Sequence, residues 1–251
     1  MSHTPNIIIT GATSGLGREM AVQMAARGEH VIACGRRAAR LAELEQIDGI
    51  TGQTLDLSSP PHIDNFCAQF DTVSGIILNA GVTFVDRFDA GDVATDMSLI
   101  QTNVAANVQL IRGLLPALKA SKGRILIVAS VGGLTPLPYQ AVYAGTKAFM
   151  VNFGLSLREE LKSDGVQVSV FAPGGIKTEM TDIPVMKTLE NDLAPVADVA
   201  RAAIKTYDKM PALFVPGGQN KLITLAAKVF PRHVIAAQAE RIYRKARQDE
   251  S

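Results

Sequence analysis

Tyr143 and Lys147 stand four residues apart in Tyr143-Ala144-Gly145-Thr146-Lys147. That spacing places a phenol and an ammonium on one face of a helix, one turn from each other. The pair suits proton transfer. A free tyrosine titrates near pH ~10, too high for a base near neutrality, and a neighbouring cation favours the phenolate and lowers that value. Ser130 lies thirteen residues before Tyr143, at the end of a candidate strand, where it could hydrogen-bond a substrate oxygen as charge develops there. Asn103 falls inside a helical stretch, where a polar residue can mark a local distortion and hold a water. Singly, each has a plainer reading: an amphipathic pair, a turn serine, a surface amide. Their joint order is harder to obtain by chance.

These residues follow a glycine-rich turn, Thr10-Gly11-Ala12-Thr13-Ser14-Gly15-Leu16-Gly17. It sits between a candidate strand and a candidate helix. Gly11, Gly15 and Gly17 permit a tight turn and let backbone N–H groups approach a pyrophosphate, with the helix N-terminus adding donors and partial positive charge. The second strand ends in Cys34-Gly35-Arg36-Arg37. A site for NAD usually places an acid there to accept from the ribose 2′-hydroxyl. Here that position is Gly35, followed by two cations, and a guanidinium can fork onto a 2′-phosphate that a carboxylate would repel. The expected cofactor is therefore NADP(H) rather than NAD(H), with Arg36 the main contact and Arg37 the second. A solvated helix start is the alternative for both arginines. Asp56, beside Leu57, is placed to hydrogen-bond an adenine amino group or to serve as an acid at a helix N-terminus. Asn79-Ala80-Gly81 ends the fourth strand, where small residues let the backbone approach an adenine ribose or simply make a turn.

The elements needed to position these groups alternate along the chain. Candidate strands are Asn6–Thr10, His30–Gly35, Thr51–Leu57, Gly75–Asn79, Arg124–Ser130, Val166–Ala172 and Leu213–Pro216. Several are continuously apolar, as parallel strands buried on both faces are. Helical stretches lie between them, among them Gly15–Arg27, Asp96–Lys119 and Tyr143–Lys162. The pattern predicts an α/β fold: a Rossmann-type, doubly wound parallel sheet of about seven strands with helices on both faces. No linker or internal repeat divides the chain, so residues 1–251 read as one domain. Two segments break the rhythm. Residues 177–195 read as a substrate lid with Met180, Ile183, Val185, Met186 and Leu189. Residues 219–247 read as an amphipathic basic helical tail, expected to pack on the domain rather than lie on a membrane.

Composition narrows the function classes. The 251 residues are 47% hydrophobic with a formal net charge of +1, which gives no reason to expect nucleic acid. Cys34 and Cys67 are too few for a disulfide framework, and the scattered His3, His30, His62 and His233 do not form a zinc motif. No stretch approaches the ~18 apolar residues of a membrane span. A cytoplasmic location is expected. The residues after Ser130 (Leu134, Pro136, Leu137, Pro138, Tyr139) and the lid are largely apolar and suit a hydrophobic substrate.

Taken together, these motifs resemble the classical short-chain dehydrogenase/reductase family, from Ile7 to about Thr178. The family's glycine motif corresponds to Thr10–Gly17, its Asn-Ala-Gly motif to Asn79–Gly81 and its catalytic tetrad to Asn103, Ser130, Tyr143 and Lys147. Pro173-Gly174, with Ile176 and Thr178 beyond, matches the segment that contacts the nicotinamide carboxamide and a neighbouring phosphate. Ser14 stands where many NADP-using members carry a basic residue. The resemblance implies an oxidoreductase acting on CH–OH groups. In it Tyr143 exchanges a proton with the substrate oxygen and Ser130 holds that oxygen. Lys147 anchors the nicotinamide ribose and lowers the Tyr143 pKa, and Asn103 supports a water that relays the proton. A carbonyl or secondary alcohol of steroid, acyl, alicyclic or aromatic type is the expected substrate. A non-catalytic NADP-binding regulatory protein is the alternative from another class. The resemblance also implies a homodimer or homotetramer packed through the helices of Asn103 and Tyr143, with small Ala144, Ala148 and Gly154 expected on the outer face.

Overall fold

The computed structural model describes residues 6–183 and 193–248. Seven strands form one parallel sheet: β1 (Ile7–Thr10), β2 (Val31–Gly35), β3 (Ile50–Thr54), β4 (Gly75–Leu78), β5 (Arg124–Val128), β6 (Gln167–Phe171) and β7 (Leu213–Phe214). Their order is β3-β2-β1-β4-β5-β6-β7. Both faces are covered, which explains the unbroken apolar runs. Along β1 the side chains alternate: Ile8 joins a core with Ile76, Ile125 and Ile127 on one face. Ile7 and Ile9 join Ile77 and Leu126 on the other.

Helices α1 (Gly15–Ala25), α2 (Ala38–Leu44) and α7 (Val196–Lys209) supply one face, through residues such as Met20, Met24, Leu41, Leu44 and Ile204. Helices α3 (Pro60–Cys67), α5 (Ala106–Ser121) and α6 (Ala141–Glu160) supply the other, through Phe66, Leu110, Leu114, Met150 and Val151. The chain leaves β1 toward β2 on one side and reaches β4 on the other. That reversal opens a crevice beyond the carboxyl ends of β1 and β4, the place where open α/β sheets receive ligands.

The expected strands form, mostly with shorter ends, while β3 begins one residue earlier than expected, at Ile50. Leu55–Leu57 lie beyond β3, because Leu55 N still bonds the Gly35 carbonyl but Asp56 then turns the chain. The stretch read as one helix over Asp96–Lys119 is three pieces: α4 (Val93–Ile100), a π-helical turn (Gln101–Ala105) and α5. The π turn lies at Asn103, where a distortion was expected, and such bulges mark functional sites.

Two expectations about surfaces need correction. Gly154 does not face outward: a Cβ there would meet Val170 Cγ2 at 2.6 Å and Ile127 Cδ1 at 2.8 Å. Ala144 is also buried, and Gly145 and Phe149 occupy the outer face of α6 instead. The basic tail forms α8 (Gly218–Val229) and α9 (Arg232–Gln248), but it packs only in part. Asn220 of α8 touches Gly174, and α9 contributes Glu240, Tyr243 and buried Ala246. Leu222, Leu225, Val229, Val234 and Ile242 stay exposed. No described helix is long and apolar enough to cross a membrane. Of the lid, Pro184, Val185, Met186, Lys187 and Leu189 lie outside the described residues, as do His3 and the Arg247 side chain.

Candidate active site

The crevice is a cleft of about 570 Å³. Its lining includes every residue singled out for catalysis or cofactor contact except Gly17 and Asn103, which stand directly behind it. One end is built from backbone. Gly11 has φ +68°, and a Cβ there would sit 2.9 Å from Ala80 Cα. A Cβ at Gly17 would fall 2.4 Å from the Gly11 carbonyl oxygen and 2.5 Å from Asn79 Nδ2. Only glycines close this corner. Asn79 locks it, its Nδ2 donating to the Thr10 carbonyl at 3.0 Å, while Thr10 Oγ1 accepts from the backbone N–H of Asn79 and Ala80. Across the cleft Gly15 faces Thr178, whose Cγ2 is 3.2 Å from where a Cβ would stand. Ser14 is the N-cap of α1 with no side-chain capping bond, so the first N–H groups of that helix open toward the cleft. The backbone cradle fits a dinucleotide pyrophosphate.

At the end of β2, a Cβ at Gly35 would come within 2.5 Å of Thr13 Cγ2. Arg36 lines the cleft and makes no ion pair among the described residues. Arg37, expected as a second contact, also lines the cleft, where it pairs with Glu179 at 2.9 Å. Glu179 also takes Arg40 at 2.6 Å, and Arg40 donates to the Thr13 carbonyl. These arginine hydrogen bonds hold the Glu179 carboxyl below its usual range. Asp56 is partly committed as well: its Oδ1 accepts from Ser58 N at 3.0 Å and Ser58 Oγ at 2.7 Å. Those bonds, with a smaller contribution from the Arg36 charge, lower its pKa.

The chemical groups meet at the other end. Ser130 follows β5 in extended backbone and Tyr143 rises on the first turn of α6. The Ser130 hydroxyl favours the phenolate, but burial outweighs it and pushes the Tyr143 pKa up. The expected lowering by Lys147 has no support in this geometry. The ammonium lies 5.7 Å from the Tyr143 ring centre and donates to the Val128 carbonyl at 3.0 Å. Burial lowers the lysine itself to about 8. Asn103 is fully buried; its Oδ1 accepts from Val82 N at 2.8 Å, and its Nδ2 donates to the Val82 carbonyl and Thr146 Oγ1. The space over Gly81 is flanked by Asn103 Oδ1 and Lys147 Nζ, 3.3 and 3.4 Å from a Cβ placed there.

Several lining residues escaped the sequence reading. Gln140 Nε2 donates to the Tyr243 hydroxyl at 2.9 Å, and Thr83 Oγ1 donates to Gln140 Oε1 at 3.1 Å. Tyr139, at φ +64°, turns its hydroxyl onto Glu240 and its ring toward Tyr243. Helix α9 thus closes the substrate end from the far end of the chain. No local spacing announces Tyr243. Of the apolar residues expected there, Leu137 and Met180 line the cleft, while Leu134, Pro136, Pro138 and Tyr139 do not.

Comparison with known proteins agrees with this architecture. Residues 5–186 match the family model described as short chain dehydrogenase. The bovine dehydrogenase/reductase SDR family member 7B is 32% identical over 191 residues, covering 70% of this chain. That match spans only 59% of the bovine protein's length. An uncharacterised oxidoreductase of Mycobacterium tuberculosis is 34% identical over 212 residues, covering 79% of this chain and 84% of its own. Among solved structures, a Sphingobium yanoikuyae short-chain dehydrogenase in complex with NADPH superposes with a TM-score of 0.80 at 24% identity, covering 89% of this chain and 93% of its own. With the glycine cradle, the Ser130–Tyr143–Lys147 cleft and a family match over most of its length, the chain belongs to the short-chain dehydrogenase family.

Proposed function

We propose that this chain, acting as one domain, is an NADP(H)-dependent oxidoreductase that interconverts a hydrophobic ketone and its secondary alcohol. The observation that carries the reading is the joining of two parts in one cleft: a backbone cradle only glycines can make, and a Tyr143–Ser130–Lys147 group, its lysine buried, at its far end. The preference for a 2′-phosphate rests on Arg36, which lines the cleft without an ion pair among the described residues, and on Gly35, where Thr13 leaves no room for an acidic side chain. The NADPH held by the Sphingobium relative is in keeping with it.

A bound nicotinamide supplies hydride chemistry at the substrate carbon. The protein's part is proton and charge control. Tyr143, kept protonated by burial, donates its proton to the carbonyl oxygen, and Ser130 hydrogen-bonds that oxygen as it gains charge. Lys147 has donors left beyond its Val128 bond to anchor the nicotinamide ribose. Asn103 fixes the π turn, and the space between its Oδ1 and Lys147 Nζ suits a water that returns the proton. In the reverse direction Tyr143 is the base. Leu137 and Met180 provide apolar lining, while Thr83, Gln140 and Tyr243 offer a few polar contacts, the composition of a site for a largely apolar molecule with a polar handle. The exposed apolar side chains Val93, Met97 and Ile100 on α4 and Phe149 on α6 support a homodimer or homotetramer packed there. The buried thiols of Cys34 and Cys67, both pushed up by burial, are in keeping with a cytoplasmic protein.

The test is oxidation of NADPH and of NADH across a panel of hydrophobic ketones, using the wild type and Arg36→Asp. Turnover favouring NADPH, with the preference reduced in the variant, supports the reading. Binding of NADPH without turnover on any ketone would favour the regulatory alternative. Equal use of both cofactors by the wild type would overturn the 2′-phosphate assignment.

A further inference from the structure

Large apolar side chains exposed to solvent are concentrated on one part of the chain. Leu222, Leu225 and Val229 recur at i, i+3 and i+7 on α8, and Phe230 follows at the turn into α9; their exposures are 69%, 58%, 73% and 55%. The inner face of the same helix, through Asn220, rests on Gly174. An amphipathic helix of a globular domain normally points its apolar stripe inward. Here the stripe points out.

Charge accompanies it. Residues 218–248 carry seven Lys and Arg (221, 228, 232, 241, 244, 245 and 247) against the single acid Glu240, while Asp249 and Glu250 lie outside the described residues. The rest of the chain carries eighteen Lys and Arg against twenty-three Asp and Glu. Lys228 stands one stripe-width from the apolar row and Arg232 is exposed at the start of α9, while the Lys221 ammonium lies over the Phe214 ring, 5.5 Å from its centre. Apolar side chains flanked by cations are what an anionic lipid surface accepts: the side chains enter the headgroup boundary and the cations meet the negative leaflet. A second copy is a poorer occupant, because a two-fold contact is made by the same patch on both subunits and would set these cations against themselves.

We infer that the α8–α9 segment docks this protein peripherally on anionic membrane surfaces, with Leu222, Leu225, Val229 and Phe230 inserted and Lys228 and Arg232 at the headgroups. This departs from the expectation that the tail packs on the domain. It does not depend on the reaction proposed above. Because α9 also carries Tyr243 to the cleft, docking brings the substrate end beside the lipid.

The full chain is mixed with vesicles of phosphatidylcholine alone or of phosphatidylcholine with phosphatidylglycerol, and the bound fraction is read by co-sedimentation. Two variants are compared, Leu222→Ser/Leu225→Ser/Val229→Ser and Lys228→Glu/Arg232→Glu, with melting temperature as the control for folding. The substituted side chains are exposed, so melting should be unchanged. The expected result is binding to the mixed vesicles only, released by salt, with each variant partitioning roughly tenfold more weakly. Absence of binding overturns the inference, as does equal binding to neutral vesicles or binding that survives both variants. Self-association lost in the serine variant while vesicles remain unbound would assign the face to a second copy and also overturn it.

Discussion

The two ends of the cleft are made of different material. At the cofactor end the walls are main chain, with Gly11, Gly17 and Ala80 packed so closely that a single added Cβ would strike backbone. At the substrate end the walls are side chains from distant segments: Thr83, Leu137, Gln140, Met180 and Tyr243. Main chain in contact with main chain cannot adjust, whereas side chains can repack or be exchanged. The difference teaches that this molecule fixes one ligand rigidly and leaves the other open to variation. The Ser130–Tyr143–Lys147 group stands with those side chains at the substrate end.

Tyr143→Phe should have the largest effect. It removes the proton donor while keeping the ring, and turnover should fall about 10³-fold or more, with NADPH affinity, measured by fluorescence titration, within about threefold of the wild type. Loss of binding as well would mean that the two ends are not separable.

Lys147→Met comes next, with turnover lower by about 10²-fold through lost positioning. Its stability should move the other way. Burial depresses the folded-state pKa of Lys147 to about 8, below its unfolded value of about 10.5. The unfolded chain therefore binds more protons between those values, and wild-type stability rises with pH across that window. Below pH 8 the buried charge costs up to about 3 kcal/mol, offset in part by the bond to the Val128 carbonyl. Denaturant titrations at pH 7 and pH 10 should show the methionine variant at least as stable at pH 7, with the pH-dependent rise gone. A variant clearly less stable at pH 7 would show that the Val128 bond outweighs the desolvation.

Gly17→Ala sharpens the comparison at the rigid end. With the Gly11 carbonyl oxygen 2.4 Å from the new Cβ, the loop must move, and NADPH affinity should weaken tens of fold, together with about 1–3 kcal/mol of stability. Tyr243→Phe tests the adaptable end and should be smallest. It keeps the ring and removes the Gln140 bond, so KM for a preferred ketone should change by up to about tenfold, with the KM for NADPH unaltered. A change in the cofactor constant instead would break the contrast between the ends.

Much of this was legible from sequence because the cofactor end is local. The glycines of residues 10–17 lie beside one another in the chain, and their crowding is a consequence of their own backbone. Strands buried on both faces announce themselves as apolar runs, and Asn103 signalled the distortion that became a π turn. The failures have a common cause in tertiary placement. The inner face of α6 is set by Ile127 and Val170, so Gly154 could not be assigned to a side from its own helix. Arg37 lines the cleft as expected, but its pairing with Glu179, far along the chain, is not announced by its neighbours in sequence. Tyr243 reaches the cleft only because α9 folds back across Tyr139 and Gln140, and nothing in its neighbourhood encodes that return.

The contact between Gly35 and Thr13 limits how this protein could change coenzyme over evolutionary time. Position 35 is where a carboxylate would welcome an unphosphorylated ribose, yet any side chain there meets the Thr13 methyl at 2.5 Å. Gly35→Asp alone therefore meets an obstacle before it gains a hydrogen bond. Only a lineage that first shortened Thr13, to serine or glycine, would find the acidic replacement useful. The path from one coenzyme to the other has at least two steps in a required order, and the first brings no benefit of its own.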